Sequence, residues 1–494
     1  MLRPVYTIEQ IRAIEQAAGH SSPPLMVRAG LAAAEHARRV MGERARDILV
    51  IAGPGNNGGD AFEVAAHLKR WFYRVTVVFA GNRGKLSADA IAALAAWESL
   101  GGTTEAAIPA GVRWDLVIDG LFGIGLQRPL SGRYADLVQA MNALGAPVLA
   151  LDAPSGLNAD TGAVMGTAVH AAHTVTFIGL KSGLLTLDGP DYCGKLQVEP
   201  IGLEAEKLAR AEGRLVDASI LTGLLPRRPQ NFHKGLAGSV AVLGGATGMV
   251  GAAMLAGRAA LKCGAGRVYV AVLAEHAPQV DPLQPELMLR GPERLFDTND
   301  INVIAAGPGM GQSEAASRML LQALASPAAL VLDADALNAL AGSNALRDAI
   351  ISRAAQTLLT PHPAEAARLL GCSTHEVQVD RIAAAKRIAG RFRAPVVLKG
   401  NGSVVATADG SWWINSSGNA GMAAAGMGDA LTGLVAGLIA QGAPALNALL
   451  AGVWLHGAAG DTAAKRNSGP LGLTASDLID QTRSILNSAV YPAS

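Results

Sequence analysis

At 494 residues the chain is longer than one hydrophobic core usually organises, since cores stop growing near roughly 250–300 residues, so two domains are expected. Half of the residues are hydrophobic and 16% are charged, which excludes extended disorder. With 41 basic against 40 acidic residues the net charge is +1, too weak a field to grip a polyanion, so nucleic acid is excluded as a partner.

The N-terminal MLRPVYTIEQIRAIEQ carries Glu and Gln in its first turns and lacks the apolar core of a signal peptide, so no export is expected. In the first half, strands are expected at DILVIAG (47–53), RVTVVFAG (74–81), DLVIDGLFG (115–123), PVLALDAPSG (147–156) and HTVTFIG (173–179), with alanine-rich helices between them. Residues 203–229 turn charged and then proline-rich, which places a boundary near residue 215. A second series follows at GSVAVLGG (238–245), GRVYVAV (266–272), INVIAAGPGMG (301–311), ALVLDADALN (329–338), QTLLTPHP (356–363) and PVVLKGNGSVVAT (395–407), and a long helical C-terminus closes it. Apolar strands alternating with helices make both halves α/β with parallel sheets. No residue-level repeat aligns the two series, which reads as a fusion. The apolar run 423–440 is interrupted by Asp429 and by Gly426, Gly428, Gly433 and Gly437, the pattern of a buried helix, and no membrane association is expected. Cys193, Cys263 and Cys372 are far apart and in no CxxC spacing, so a reducing cytoplasm is expected and neither a disulfide framework nor a zinc site.

Ligands of open α/β sheets bind beyond the carboxyl ends of the strands, and the polar residues cluster there. GPGNNGGD, Gly53 to Asp60, leaves a strand and enters a helix. Its glycines permit close backbone approach, and the following amides can hold phosphate oxygens, although a plain tight turn would look similar. Asp119 ends a second strand, and Asp152 with Ser155 a third. Each could be a cap, but three such ends in one sheet suggest a site, and amide and hydroxyl oxygens beside one carboxylate suit a weakly held monovalent cation better than zinc.

In the second half, Asp429 follows a glycine pair at a helix start, where the amides of Gly426, Met427 and Gly428 can form an anion hole while the carboxylate accepts a proton; an N-cap is the bland alternative. LKGNGS offers Lys399 and flexible amides for nucleotide phosphates. His362, rigidified between Pro361 and Pro363, is a candidate ligand contact or a cap. GPGMG, Gly307 to Gly311, reads as a close-approach loop or a simple turn. Asp333 and Asp335, two apart, could orient a nucleotide's magnesium or cap the following helix, with capping favoured for one of them.

NNGGD, DGLFGIGL and D-x-PSGLNADTG, in this order, resemble the NAD(P)H-hydrate epimerase family over most of residues 1–205. The resemblance implies a Rossmann-like doubly wound sheet. It implies that Asn56, Asn57, Gly58, Gly59 and Asp60 contact the hydrated dinucleotide, with Gly123, Ile124, Gly125, Leu126, Gln127, Arg128 and Pro129. Asn57, Asp119 and Ser155 would hold a potassium ion, and Asp152, also a substrate contact, is the acid/base candidate. Ala61 stands where the family usually has glycine, and Ala153 where Ile or Val is commoner.

HKGLAGSVAVLGGA, GAAMLAGRAALKCGAG, LDADALN, TPHPAEAARLL, LKG and GMGDALTG, again in order, resemble the ADP/ATP-dependent NAD(P)H-hydrate dehydratases, which have a ribokinase-like fold, over about residues 225–485. This implies hydrate contacts at Ala252, Gly309, His362 and Asp429, with Asp429 catalytic, and nucleotide contacts at Lys399, Gly400, Asn401, Gly402, Ser403 and Gly428. Met427 replaces the Thr of many relatives, a change that an anion hole made of amides tolerates.

The two resemblances together imply an epimerase domain at 1–215 and a dehydratase domain at 225–494. The first interconverts the R and S hydrates at C6. The second dehydrates the S form with ADP or ATP, so that neither epimer is stranded. Potassium in the first domain and magnesium in the second are the expected ions, NADHX and NADPHX the substrates, and a homo-oligomer the expected assembly. Two rivals remain: a kinase of a vitamin-like alcohol fused to a dinucleotide-binding domain, and a first half that senses dinucleotides without turnover.

Overall fold

The computed structural model describes residues 2–19, 21–42, 46–297 and 300–492. The chain divides into two compact units, Pro4–Arg214 and Leu215 onward.

In the first unit the short apolar runs pair in parallel, as fully buried strands do. The sheet order is Thr104–Glu105, Arg74–Phe79, Asp47–Ala52, Leu116–Gly120, Val148–Leu151, His173–Phe177 and Lys195–Glu199. Strand alternation divides Asp47–Ala52 between two cores. Ile48, Val50 and Ala52 face the helices Leu25–Met41, Asn56–Arg70 and Ala88–Ser99, while Leu49 and Ile51 face Arg133–Ala143 through a cluster containing Leu137, Val138 and Met141. The order reverses between Asp47–Ala52 and Leu116–Gly120, opening a crevice at their carboxyl ends. A short separate pairing joins Arg3–Tyr6 to Leu180–Lys181 in parallel and places Tyr6 opposite Lys181.

In the second unit the strands run in the order Met288–Arg290, Arg267–Val272, Ser239–Gly244, Val303–Ala306, Ala329–Leu332, Thr357–Leu359, Val396–Leu398, Ser403–Ala406 and Trp412–Asn415. The expected parallel pairing holds as far as Val396–Leu398. The 395–407 segment is a hairpin: Val396–Leu398 pairs antiparallel with Ser403–Ala406, and that strand antiparallel with Trp412–Asn415, because Gly400 (φ 143°) and Gly402 (φ 62°) turn the chain back. The switch point lies between Ser239–Gly244 and Val303–Ala306. The glycine-interrupted apolar run forms the buried helix Met427–Ala440, packed so closely on Val250–Lys262 that a Cβ at Gly433 would lie 2.0 Å from the Ala256 carbonyl oxygen. No helix among the described residues is long and apolar enough to cross a membrane.

Candidate active sites

The GPGNNGGD segment wraps the first switch point. Gly53 N donates to Gly120 O (3.0 Å), and a Cβ on Gly53 would meet Leu121 O at 1.7 Å. Gly58 packs against Gly53 in turn, its Cβ position 2.0 Å from Gly53 O, so both positions exclude a side chain. That closeness starts the Asn56–Arg70 helix directly at the strand end, with Gly55 as N-cap and no side-chain cap. Gly58 N and Gly59 N donate to Gly55 O (3.0 and 3.3 Å), which leaves the Asn56 and Asn57 amides without a partner among the described residues.

A cavity of about 620 Å³ opens there, lined among others by Glu15, Asn57, Asp60, Gly123, Asp152 and Lys181. Asp119 is fully buried beneath it. Ser155 donates to it twice, from Oγ to Oδ1 (2.6 Å) and from N to Oδ2 (2.8 Å), and Leu121 N adds a third bond at 3.2 Å. Burial still outweighs these bonds and pushes the Asp119 carboxyl up to about 6. Asn57 packs its carboxamide against Gly123, and its Oδ1 and Nδ2 are buried without a hydrogen-bond partner among the described residues. An orphaned carbonyl oxygen in the same crevice as a buried carboxylate and a hydroxyl is the donor chemistry of a monovalent cation, not of zinc.

Asp152 adopts a left-handed φ of 63°, a conformation costing a non-glycine residue on the order of 1–3 kcal/mol and kept where the surroundings impose it. The surroundings are Lys181 Nζ at 2.5 Å from Oδ1, with Thr176 Oγ1 and Phe177 N each donating to the same oxygen at 3.3 Å. Lys181 is wholly buried and also donates to Thr176 Oγ1 (2.8 Å) and Phe177 O (2.7 Å).

Other residues expected here divide. Asn56, Gly123, Ile124 and Gly125 line the cavity, with the Asn56 Oδ1 accepting from Ser87 Oγ at 2.8 Å. Gly58 and Gly59 are buried packing positions. Leu126 belongs to the core on the opposite face of the sheet, and Gln127, Arg128 and Pro129 are exposed and outside the cavity wall.

In the second unit, Asp429 occupies the first turn of the Met427–Ala440 helix, entered through Gly426 in the left-handed region (φ 87°). Gly428 lies against a buried pair, its Cβ position 3.1 Å from Lys399 Nζ and 3.4 Å from Asp333 Oδ2. Lys399 Nζ donates to Asp333 Oδ1 at 2.6 Å, and Thr432 Oγ1 to Oδ2 at 2.9 Å. Burial alone would raise the Asp333 carboxyl, but the Lys399 charge and these bonds hold it below its ordinary value. Asp429 has no such bonds among the described residues. Burial first, and the Asp333 charge second, raise it to about 6 against the opposing pull of Lys399.

Asp333 and Asp335 do not share a strand face, since the strand ends at Leu332 and Ala334 turns through φ 46°. Asp333 stands at the N-cap position without capping, its oxygens committed to Lys399 and Thr432. Asp335 instead accepts from Gly311 N at 2.8 Å and from Asn338 Nδ2 at 3.3 Å, tying down the GPGMG loop. That loop brings Gly309 (φ 56°) onto Ala252, whose Cβ lies 3.1 Å from the position of a Gly309 Cβ.

His362 caps the helix Pro363–Leu370. Ala364 N donates to its Nδ1 (3.1 Å), so the ring proton resides on Nε2, 3.2 Å from Glu365 Oε1. Burial, then the Lys399 charge, keeps this ring below the ordinary histidine value. Its neighbour Lys399 bonds Pro361 O through its amide (2.9 Å), which joins the TPHP and LKG segments. In the hairpin turn Gly400 and Asn401 are exposed, Gly402 is buried, and Ser403 Oγ accepts from Gly400 N at 3.2 Å.

Residues 22–183 match the family model described as YjeF-related protein N-terminus, and residues 240–483 the model described as NAD(P)H-hydrate dehydratase. The bifunctional NAD(P)H-hydrate repair enzyme Nnr of Coxiella burnetii is 40% identical over 98% of this chain and 99% of its own length. The chain belongs to the bifunctional NAD(P)H-hydrate repair enzymes. The member of the same name from Escherichia coli is 39% identical over 94% of this chain and 90% of its own. A solved ADP/ATP-dependent NAD(P)H-hydrate dehydratase from Bacillus subtilis, co-crystallised with ATP/Mg2+, is 30% identical and covers 55% of this chain and 97% of its own, with a TM-score of 0.50.

For this repair enzyme, sequence reasoning missed the side chains that hold the acids. Lys181 is the clearest, a lysine in the otherwise apolar and small FIGLKSGLL beyond a strand end, and that isolation was the available signal. Thr432, one turn after Asp429, and Glu365, buried and 4.0 Å from Lys399, were hidden in helices. His456 was too: its Nε2 lies 2.9 Å from Met427 O, and burial holds it neutral at about 4.

Proposed function

We propose that the two sites act in sequence on one damaged cofactor. The chain is a bifunctional NAD(P)H-hydrate repair enzyme with an epimerase domain and an ADP/ATP-dependent dehydratase domain. In the second site the nucleotide's terminal phosphoryl passes to the C6 hydroxyl of the S hydrate, and Asp429 accepts the hydroxyl proton. Phosphate then leaves with the C6–O electron pair as the N1 lone pair forms a C6=N1 bond, and a proton passes from C5 to the departing phosphate, which re-forms the C5=C6 double bond and returns the pair to N1. The carrying observation is Asp429 itself: a carboxyl without a hydrogen-bond partner among the described residues, in the first turn of a helix whose Gly428 amide is likewise without one and can stabilise phosphate charge, beside the Lys399–Asp333 pair. Magnesium arrives as part of the nucleotide substrate. The Gly400–Ser403 turn and Gly428 supply nucleotide contacts. Ala252, Gly309 and His362 form the hydrate side, with His362 offering its ring face because both nitrogens are engaged.

In the first site the hydrate occupies the 620 Å³ cavity, with Asp152 as its acid/base group. Asn57, Asp119 and Ser155 fit a potassium ion and would hold it; bound, it would supply positive charge near the dinucleotide's pyrophosphate. Asp152, kept in place by Lys181, exchanges protons with the C6 substituent. The first domain so feeds the S form to the second, for NADHX and NADPHX alike. Product analysis tests the chemistry against a vitamin-like alcohol kinase. Inorganic phosphate released one-for-one with restored NADH absorbance supports the dehydratase, and accumulation of a phosphorylated alcohol rejects it.

A further inference from the structure

Of the four carboxyl groups that line the cavity of the first unit, those of Glu15, Asp60, Asp89 and Asp152, two are held in opposite ways. Asp152 is bonded by the buried Lys181 ammonium, by Thr176 Oγ1 and by Phe177 N. Asp60, half-buried in the first turn of Asn56–Arg70, lines the same cavity and has no side-chain hydrogen bond or ion pair among the described residues. The charged groups acting on it are Asp152, Glu15 and Glu63, all acidic, and Lys181, already committed to Asp152. A bare carboxylate there would repel a ligand that carries a pyrophosphate, whereas a neutral carboxylic acid can donate.

We infer that Asp60 is a second catalytic residue of the epimerase, the acid that works with the base Asp152 on C6 of the hydrate; this rests on the epimerase reading of the site. Asp60 gives its proton to the C6 hydroxyl. The C6–O bond breaks, the N1 lone pair forms a C6=N1 bond, and water leaves. A water then adds to C6 from the other face, its proton passes to Asp152, and the electron pair of C6=N1 returns to N1. One water leaves and one enters, nothing is oxidised, and the two acids exchange roles for the opposite epimer. Burial and the neighbouring acids raise Asp60 well above the ordinary carboxyl range, which keeps it protonated for this task, and environments that separate two carboxyls in this way mark acid and base.

The test uses the full chain without nucleotide, so that the second domain is silent, and a single hydrate epimer in ¹⁸O-labelled water. Wild type is expected to incorporate ¹⁸O at C6 with each inversion. Asp60→Asn is expected to lose kcat for inversion by about 100-fold with KM near wild type, the scale of a lost general acid. Asp60→Glu should recover part of that loss. Unchanged dehydration of the S hydrate by the same variants, with ADP or ATP supplied, checks the second unit, and an unchanged KM for inversion checks that the first is folded. A raised KM with normal kcat in Asp60→Asn would reduce Asp60 to a binding contact and overturn the inference. Inversion without ¹⁸O uptake in wild type would also overturn it while leaving the epimerase reading intact; no inversion at all in wild type would remove that reading and the inference with it.

Discussion

If Asp429 is the base of the dehydratase, it works only when ionised, and burial and neighbouring charges shift where that happens. Its carboxyl is raised to about 6 by burial and by the Asp333 charge, with Lys399 pulling it down. The kcat/KM for the S hydrate at saturating nucleotide should therefore rise with pH to a plateau above about 6, and one pH unit below the midpoint the rate should be about one-tenth of the plateau. Asp429→Asn keeps the size and much of the hydrogen bonding. It should still bind nucleotide, lose about 100-fold or more in turnover, and lose the acid limb of the profile. Lys399→Met removes the cation whose charge stabilises the Asp429 carboxylate, so its limb should move to higher pH. The same change leaves Asp333 buried without its partner at 2.6 Å, which should cost about 3–5 kcal/mol of stability, read by chemical denaturation. Initial rates of NADH formation from purified S hydrate across about pH 5–8 supply the profile. A wild-type rate flat across that range, or near-normal turnover in Asp429→Asn, would refute the role.

Asp119→Ala should weaken hydrate binding and epimerisation while leaving dehydration of the S hydrate intact, and replacing potassium by a bulky organic cation should mimic it in wild type and add little in the variant. Equal responses of both proteins to that exchange would place the ion elsewhere. Lys181→Met strips the buried ammonium from Asp152, so epimerisation should fall by about 100-fold and the first domain should lose about 3–5 kcal/mol of stability, with dehydration unaffected; retained epimerisation would show that Lys181 does not position Asp152.

Strand ends were the most legible feature of the sequence, because fully buried parallel strands read as unbroken apolar runs and the polar residues that stop them mark the ligand edge. Gly53, Asn57, Asp119 and Asp152 announced themselves in this way, and Asp429 by the glycine pair at a helix start. What stayed hidden was decided by tertiary partners. Nothing in LDADALN says that Asp333 turns from its helix to Lys399, 66 residues away, while Asp335 holds Gly311. Nothing in GIGLQRP separates Gly123 to Gly125, which face the cavity, from Leu126, which the opposite core claims. His362 was open between ligand and cap; the capping box with Glu365 shows that the cap is made, and that this fixes the tautomer in which the ring meets the site. The hairpin after Leu398 was written in Gly400 and Gly402 but was masked by the apolar residues on both sides.

The central claim, that one chain restores both epimers, is tested most directly by incubating an equal mixture of R and S hydrates with nucleotide and full-length protein, and following epimer loss against NADH formed. Wild type should convert the whole mixture to NADH, whereas Asp152→Asn should consume the S half at the wild-type rate and then slow to the uncatalysed inversion of R. Wild type that stops with one epimer untouched, or Asp152→Asn that clears both at the wild-type rate, would contradict the account.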